Sequence, residues 1–379
     1  MTSSGSLGDE SESPRPRAHR RARAFGLALA ALVALYGAGW YVLAGRFAEG
    51  VRSFLATRPG DGIAFAYADI ALGGFPGRIK ARVLAPSATI ARAQGTWIWR
   101  PARVTFSARP WALNRVTLDL SGAHTVAPAD ASGLPRWKAE VQTLTIEARI
   151  ADADVTALAL RGDGFRLDGR VPGEEFALAR LRADWRRAES RSADPRPERG
   201  AREYARRDSP PRPDHLQASQ SFEAIGEGLR PPPGARLLLA EEIARIALGG
   251  EVRGRIEAGP ETEAIRRWRD DGGTIELTRI EGRYGALALA GAGTLALDGE
   301  FQPVGAFTAR IEGFSETLDA LREAGIMRGR DALTAKIALT ALARREGEGR
   351  PYLTLPLSLQ ERRLYAGPVA LLTFPALAW

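Results

Sequence analysis

Three histidines and no cysteine bound the chemistry open to this 379-residue chain. Without cysteine there are no disulfides, no thiolate metal ligands and no thiol nucleophile. His19 and His215 lie in or beside polar stretches, and His124 stands apart from both, so no histidine cage forms by proximity in sequence. No G-x-S-x-G elbow, H-E-x-x-H pair, P-loop or dinucleotide fingerprint is present. Gly291-Ala292-Gly293 is not followed by a helix start and reads as a bend in a strand. Glu174-Glu175 and Glu241-Glu242 could offer paired carboxylates, but adjacent side chains point to different sides of a strand or helix. Asp270-Asp271-Gly272 could hold a cation, and reads more simply as a turn between a helix and a strand. These residues assign no catalytic, cofactor or metal site, and the expectation is a protein that is not an enzyme and needs no cofactor.

The apolar residues offer more. Trp97 and Trp99 share one face of a strand, and Trp111 follows shortly after. Leu287, Leu289, Leu295 and Leu297 occupy one phase of another strand. Together they are the candidate apolar ligand or packing face. Two readings stand: a hydrophobic core layer, or a surface turned toward lipid or a partner.

The strongest local signal is the segment that would fix this face in place. Between Arg23 and Arg46 run 22 residues without a formal charge. At about 1.5 Å per residue they reach the thickness of a bilayer core. Arg15, Arg17, Arg20, Arg21 and Arg23 precede the run, and Arg46, Glu49 and Arg52 form a weaker basic flank behind it. The positive-inside rule then predicts a single-pass inner-membrane anchor at 23–45, with a cytoplasmic N-terminus and the bulk of the chain in the periplasm. Tyr36, Trp40 and Tyr41 cluster toward the far end, where amphipathic rings favour headgroups. A signal peptide cleaved after Val42 and Ala44, and a buried core helix, are the rival readings. The Trp40-Tyr41 pair argues against the first and the arginine cluster against the second.

Residues 1–22 are rich in Ser, Pro and Arg and read as a disordered cytoplasmic tail. Phe47, Val51, Phe54 and Leu55 have helical spacing, which predicts a short amphipathic helix over 45–58. Period-two alternation then takes over. It appears in Ile63-Phe65-Tyr67, Val104-Phe106, Val116-Leu118-Leu120 and Leu144-Ile146-Ile150, bounded by glycine, proline and aspartate turns. Residues 46–185 are therefore the first β-rich part of the ectodomain. The stretch 186–214 is rich in Arg and Pro and poor in large apolar residues, which predicts a disordered loop; an arginine patch for anionic lipid or nucleic acid is its rival. Residues 215–379 are the second β-rich part. There Ile275-Leu277, the 287–297 strand, an Asp298-Gly299 hairpin and Leu353-Leu355-Leu357-Leu359 carry the pattern. Leu318, Leu321, Ile326, Leu333, Ile337 and Leu339 switch to helical spacing, predicting two short helices near 315–343, broken around 325–329 and capped by Ser315 with Glu316 in the first turn. Leu237–Leu248 suits a helix or a strand, with helix preferred. IALGGFPGRIKA at 70–81 echoes IALGGEVRGRIEA at 246–258, through an old duplication or through chance in an Ala-, Gly- and Arg-rich chain. The fold class is thus α+β, mainly antiparallel β: an N-terminal transmembrane helix, then large curved sheet or sheets with a few short helices. One continuous sheet and two domains both remain open.

The chain resembles a bacterial family of unknown function, domain of unknown function 2125. The resemblance rests on the anchor, Gly74-Phe75-Pro76, and Thr96-Trp97 to Pro101. It continues through the block from Gly273 past Tyr284-Gly285 to Asp298-Gly299, Gly305 and Gly313. It closes on Leu364 to Gly367-Pro368 and Phe374-Pro375-Ala376-Leu377. The family shows Trp-Gly in place of Tyr284-Gly285 and Pro-Pro in place of Pro375-Ala376, departures that keep size or turn character. The resemblance implies an anchored envelope protein and transfers no functional residue. A looser similarity is to AsmA-like envelope proteins, which pair an anchor with long sheets and are associated with lipid handling; this is analogy of fold.

The formal charge is +8, and Lys80, Lys138 and Lys336 are the only lysines. The arginines are spread along the chain without an aromatic-interleaved basic run, which speaks against nucleic acid as a partner. The expected partners are the inner membrane through residues 23–45, lipid, and other envelope proteins. Two functions compete ahead of any enzyme: a module that binds or conveys lipid or another apolar ligand along an apolar sheet face, and a structural or interaction scaffold without a small-molecule ligand.

Overall fold

The structure, a computed structural model, describes residues 17–56, 62–92, 95–129, 134–152, 154–171, 173–188, 217–232, 238–256, 261–347 and 349–377. Residues 1–16 of the expected tail, 189–214 of the expected loop, His215 and Pro233-Gly234 lie outside them. Helix α1 (Arg17–Ala56) runs unbroken for 40 residues, about 60 Å, so the anchor and the expected amphipathic helix are one element. It starts within the segment read as a tail.

Eight shorter strands follow: β1 (Ile63–Ala66), β2 (Asp69–Gly73), β3 (Ile79–Leu84), β4 (Ser87–Arg92), β5 (Gly95–Pro101), β6 (Val104–Arg109), β7 (Ala112–Asp119) and β8 (Gly122–Pro128). The long strands are β9 (Trp137–Ala151), β10 (Asp154–Gly169), β11 (Glu175–Arg187), β12 (Ala218–Arg230), β13 (Ile243–Arg253), β14 (Thr274–Tyr284), β15 (Leu287–Leu297), β16 (Pro303–Glu312) and β17 (Tyr352–Gln360), ending in the short β18 (Arg363–Ala366) and β19 (Val369–Thr373). Three further helices are α2 (Glu261–Asp270) between β13 and β14, and α3 (Phe314–Glu323) and α4 (Gly329–Leu342) between β16 and β17. All 19 strands join one antiparallel sheet that does not close on itself.

The sheet forks at β9. Trp137–Val141 pairs with β8, and Thr145–Arg149 pairs with β7. One arm is β8-β5-β4-β1 and the other is β7-β6-β3-β2. From the other edge of β9 the sheet continues as a plain meander, β10 through β19. β11 pairs directly with β12, so the segments before and after the 189–216 interval belong to one sheet.

A crease starts at the fork. Pairing puts Gln142, Gly164, Ala179, Gly228 and Ala244 in one row. Gly164 and Gly228 have φ of +65° and +66°, which residues with a Cβ adopt only under strain. Ala244 is an extra residue against β14. The row thus interrupts the pairing of β9 to β13 at the level where the two arms separate.

The buried clusters lie in the arms. Val51, Ile70, Ala81, Val83, Val104, Phe106 and Leu120 form the larger, with Leu144 and Ile146 packed against it. Trp40, Ala44 and Ile79 form the smaller. Neither contains a residue of β10–β19. Helix α1 therefore supplies core: Trp40, Ala44, Ala48 and Val51 fall on one stripe at helical spacing, and each is at most 5% exposed. By contrast Phe25, Leu27, Leu29, Leu32 and Leu35 are exposed.

Three expectations need correction. The described part of Leu237–Leu248, from 238 on, is not a helix: Ile243–Leu248 opens β13, because both its edges find partner strands, and strand pairing decides what spacing leaves open. Ser315 does not cap α3; the cap lies two residues earlier, at Gly313 in a left-handed conformation with no side-chain cap, and Glu316 falls in the first turn as expected. The loop expected from 186 begins later, since Arg186 and Arg187 pair with Ser221 and Gln220. The 70–81 and 246–258 echo has no structural counterpart. The first copy is a hairpin through Gly74, while the second continues as a strand through Gly250.

Candidate functional site

Pairing register turns the long sheet into two chemically different faces. On one, a row runs Leu144, Gly162, Leu181, Gly226, Ile246, Gly282 from β9 to β14. It continues through Leu289, Ile311 and Leu353 on β15 to β17. The next row runs Ile146, Leu160, Ala183, Ala224, Leu248, Ile280 and on to Leu355. A third passes through Leu158, Trp185, Phe222, Leu277, Phe307 and Leu357. No charged residue interrupts these rows. Leu158, Ile246 and Leu248 stay 38–43% exposed. The described helices cover the two ends: Leu144 and Ile146 pack against the cluster that contains Val51 of α1, and α3 packs on β15, while Leu353 of the first row is buried on β17. Contiguous apolar surface left in the open marks an interaction site.

The opposite face is a ladder of ion pairs. Asp163, Arg180, Glu227 and Arg245 are direct cross-strand neighbours on β10 to β13. Their contacts are 3.2, 2.9 and 2.6 Å. The chain extends from Arg245 to Glu281 at 3.4 Å, from Glu281 to Arg279 at 2.8 Å, and from Arg279 to Glu223 at 2.6 Å. That last pair reaches over β13, because Gly249 lies between them and has no side chain. Hydrogen bonds from Arg279, and then Arg245, hold the Glu281 carboxyl below its usual range. Each exposed pair adds little stability. The alternation does fix register, since a one-residue slip would send these charges to the apolar face.

The expected face residues divide. Leu289 and Leu295 belong to the apolar face, and Leu287 and Leu297 extend it in the same phase; all four are half-buried. Trp99 packs against the larger core cluster and stacks on His124 at 5.9 Å, so it is a core residue. Trp97 is half-buried on β5, and Trp111 is 68% exposed at the β6–β7 turn. The structure does not bring the tryptophans and leucines together. Sequence reasoning missed Leu158, Leu160, Leu181, Phe222, Ile246 and Leu248. The available signal was a phase kept through small residues, as in Phe222-Ala224-Gly226.

Among the described residues no group of histidines and carboxylates could hold a metal ion. His124 is buried, its Nε2 has no partner, and burial lowers its pKa against the opposing effect of a Leu120 backbone hydrogen bond. No carboxylate converges on it. A depression of about 460 Å³ lies on β15 to β17, lined by Ala292, Gly293, Ala306, Phe307, Thr308, Pro356, Leu357, Ser358 and Gly367 without a charge.

Where α1 leaves its exposed apolar stretch it meets the β2–β3 turn. Tyr36 donates a hydrogen bond to the Pro76 carbonyl at 2.6 Å. Phe75 packs edge-on to Trp40 at 5.5 Å and tilted to Tyr36 at 6.1 Å. Phe25–Ala56 is long and apolar enough to cross a membrane, by length and composition.

A family model described as an uncharacterized protein conserved in bacteria (DUF2125) matches residues 40–375. No curated protein and no solved structure matches the chain.

Proposed function

We propose, on the premise that the chain belongs to the DUF2125 family of uncharacterised bacterial proteins, that it is anchored in the inner membrane by α1 and binds or conveys lipid acyl chains along the apolar face of its sheet. One observation carries this reading: three apolar rows cross β9 to β17 and, among the described residues, neither buried cluster includes β10–β19; Leu277, Ala309 and Leu353 are buried, while Leu158, Ile246 and Leu248 stay open. An ordinary domain would bury such a face against a second layer. The arginines ahead of Phe25 support a cytoplasmic N-terminus and a periplasmic sheet. Retention of α1 is supported by its stripe: cleavage after Ala44 would strip Trp40 and Ala44 from Ile79.

The test uses the full chain, because α1 is part of the core. The protein is purified in a mild non-ionic detergent, and co-purifying lipid is quantified by mass spectrometry against an unrelated single-pass protein. The expected result is near-stoichiometric phospholipid, lost in Leu160→Glu/Leu248→Glu with the thermal midpoint kept. Lipid no higher than in the control, or unchanged in the variant, refutes it.

A second reading is favoured by β19. This edge strand is exposed along its length, with Val369, Leu371 and Leu372 open to solvent. An unpaired edge of this kind accepts a strand from another protein. An envelope scaffold without a lipid ligand would leave the apolar face empty in the same experiment.

A further inference from the structure

From charge placement we infer a second site: Arg78, Arg109, Arg115, Arg149 and Arg186 form a row that binds the phosphate of anionic lipid headgroups in the leaflet that α1 enters. The five arginines line one concavity of about 300 Å³ on the face opposite the apolar rows. Arg115 and Arg149 are direct cross-strand neighbours. Arg149 faces Ala157, and Ala157 faces Arg186, so one small residue separates two guanidinium groups. Arg78, just before β3, and Arg109, at the end of β6, follow beside the Ile79–Ala108 pair.

Like charges directly opposite on neighbouring strands repel. Elsewhere on this sheet each directly opposed arginine pair has one member held by a carboxylate: Arg161 opposite Arg182 touches Asp184, and Arg245 opposite Arg283 touches Glu227 and Glu281. Among the described residues none of the five in this row has a carboxylate within ion-pair distance. Glu147 and Asp184 also line the concavity, and Asp184 is engaged by Arg161 at 2.9 Å. The row therefore has an uncompensated positive charge, and an anion is the missing partner. A guanidinium fork suits phosphate oxygens.

Height above the membrane selects the source. Ala44 lies about 30 Å along the helix from Ala24, the thickness of the hydrocarbon core. Ala44 and Trp40 pack on Ile79, and Arg78 is its chain neighbour. Arg78 thus lies at the level of the headgroups, with the other four arginines following across the strands, while Gly74-Phe75-Pro76-Gly77, uncharged and exposed, dips below it. Trp111 stands exposed between Arg109 and Ala112 at the rim, a position that suits an indole at the interface.

The inference rests on the membrane seating proposed above and is tested apart from the acyl face. Full-length protein in non-ionic detergent is titrated calorimetrically with dihexanoyl phosphatidylglycerol, with dihexanoyl phosphatidylcholine, and with inorganic phosphate. Phosphatidylglycerol should bind roughly tenfold more tightly than phosphatidylcholine, and Arg115→Ala/Arg149→Ala should remove that preference. The variant's thermal midpoint without ligand should hold or rise, because a like-charged pair has gone, and its co-purified acyl lipid should be unchanged. Equal binding of the two lipids, or undiminished preference in the variant, overturns the site. A lower midpoint in the variant also overturns it, since the arginines would then serve the fold. Inorganic phosphate binding as tightly as phosphatidylglycerol overturns the lipid source and leaves a free-phosphate site. Loss of acyl occupancy in Leu160→Glu/Leu248→Glu with the headgroup preference intact separates the two proposals.

Discussion

At the scale of single residues the sharpest case is His124. It is 7% exposed, stacked on Trp99, and without a partner at Nε2. Burial keeps its folded pKa below the ordinary 6.5. Above that value it is neutral folded or unfolded and gives no pH dependence. Below it the unfolded chain takes a proton that the folded chain resists, so stability falls as pH drops from about 6.5 toward the folded pKa. The thermal midpoint should therefore decline between pH 7.5 and 5.5. His124→Phe, which keeps a ring against Trp99, should flatten that decline. A variant with the wild-type slope would show that other groups are responsible. None of this was legible in the sequence, where His124 was one of three scattered histidines. Its burial follows from β8 lying between β5 and β9, a pairing set by long-range contacts.

Among the elements, α1 departs most from a simple reading. Composition predicts the span, since an uncharged run leaves little choice. It does not predict that the same helix continues into the core, because the stripe Trp40, Ala44, Ala48, Val51 uses two alanines that carry no apolar periodicity of their own. They are small because strand β3 comes close: Ala44 and Ile79 are both fully buried. Ala44→Leu should overpack this contact and destabilise the sheet by about 1–3 kcal/mol. Val42→Leu, at a position 60% exposed, should change little. Denaturant unfolding in detergent compares the two; equal midpoints would mean that the anchor only tethers. The meander strands had a similar ambiguity. β15 and β17 were readable because Leu287, Leu289, Leu295 and Leu297, and Leu353 to Leu359, keep large residues in one phase. β10 to β12 escaped because Gly162, Ala183, Ala224 and Gly226 occupy the same phase and blur the period. The α3–α4 break was readable through Gly325 and Gly329.

Across the whole molecule those small residues acquire a reason. The first apolar row alternates large and absent side chains: Leu144, Gly162, Leu181, Gly226, Ile246, Gly282, Leu289. The glycines are filled unequally: a Cβ at Gly282 would meet open space, and one at Gly226 would meet only Leu178. At Gly162 the space a Cβ would take is already held by the Phe165 ring, with Leu144 next to it. The result is an apolar strip running across the strands, filled at Gly162 and notched at Gly282, with the ion-pair ladder behind it. Such a strip has no single pocket, so a carrier and a store would use it differently. Ala224 lies midway, flanked by Ala183 and Leu248. Ala224→Trp would raise an obstacle there and leave both ends intact. If lipid moves along the strip, the variant should keep most of its co-purified lipid while transfer of a fluorescent phospholipid between donor and acceptor vesicles falls by roughly tenfold, about 1.4 kcal/mol on the barrier. If the strip only holds lipid, transfer should match the wild type and occupancy should drop by the part displaced. The uncharged rows suit movement better, since an acyl chain crossing them meets no charged side chain.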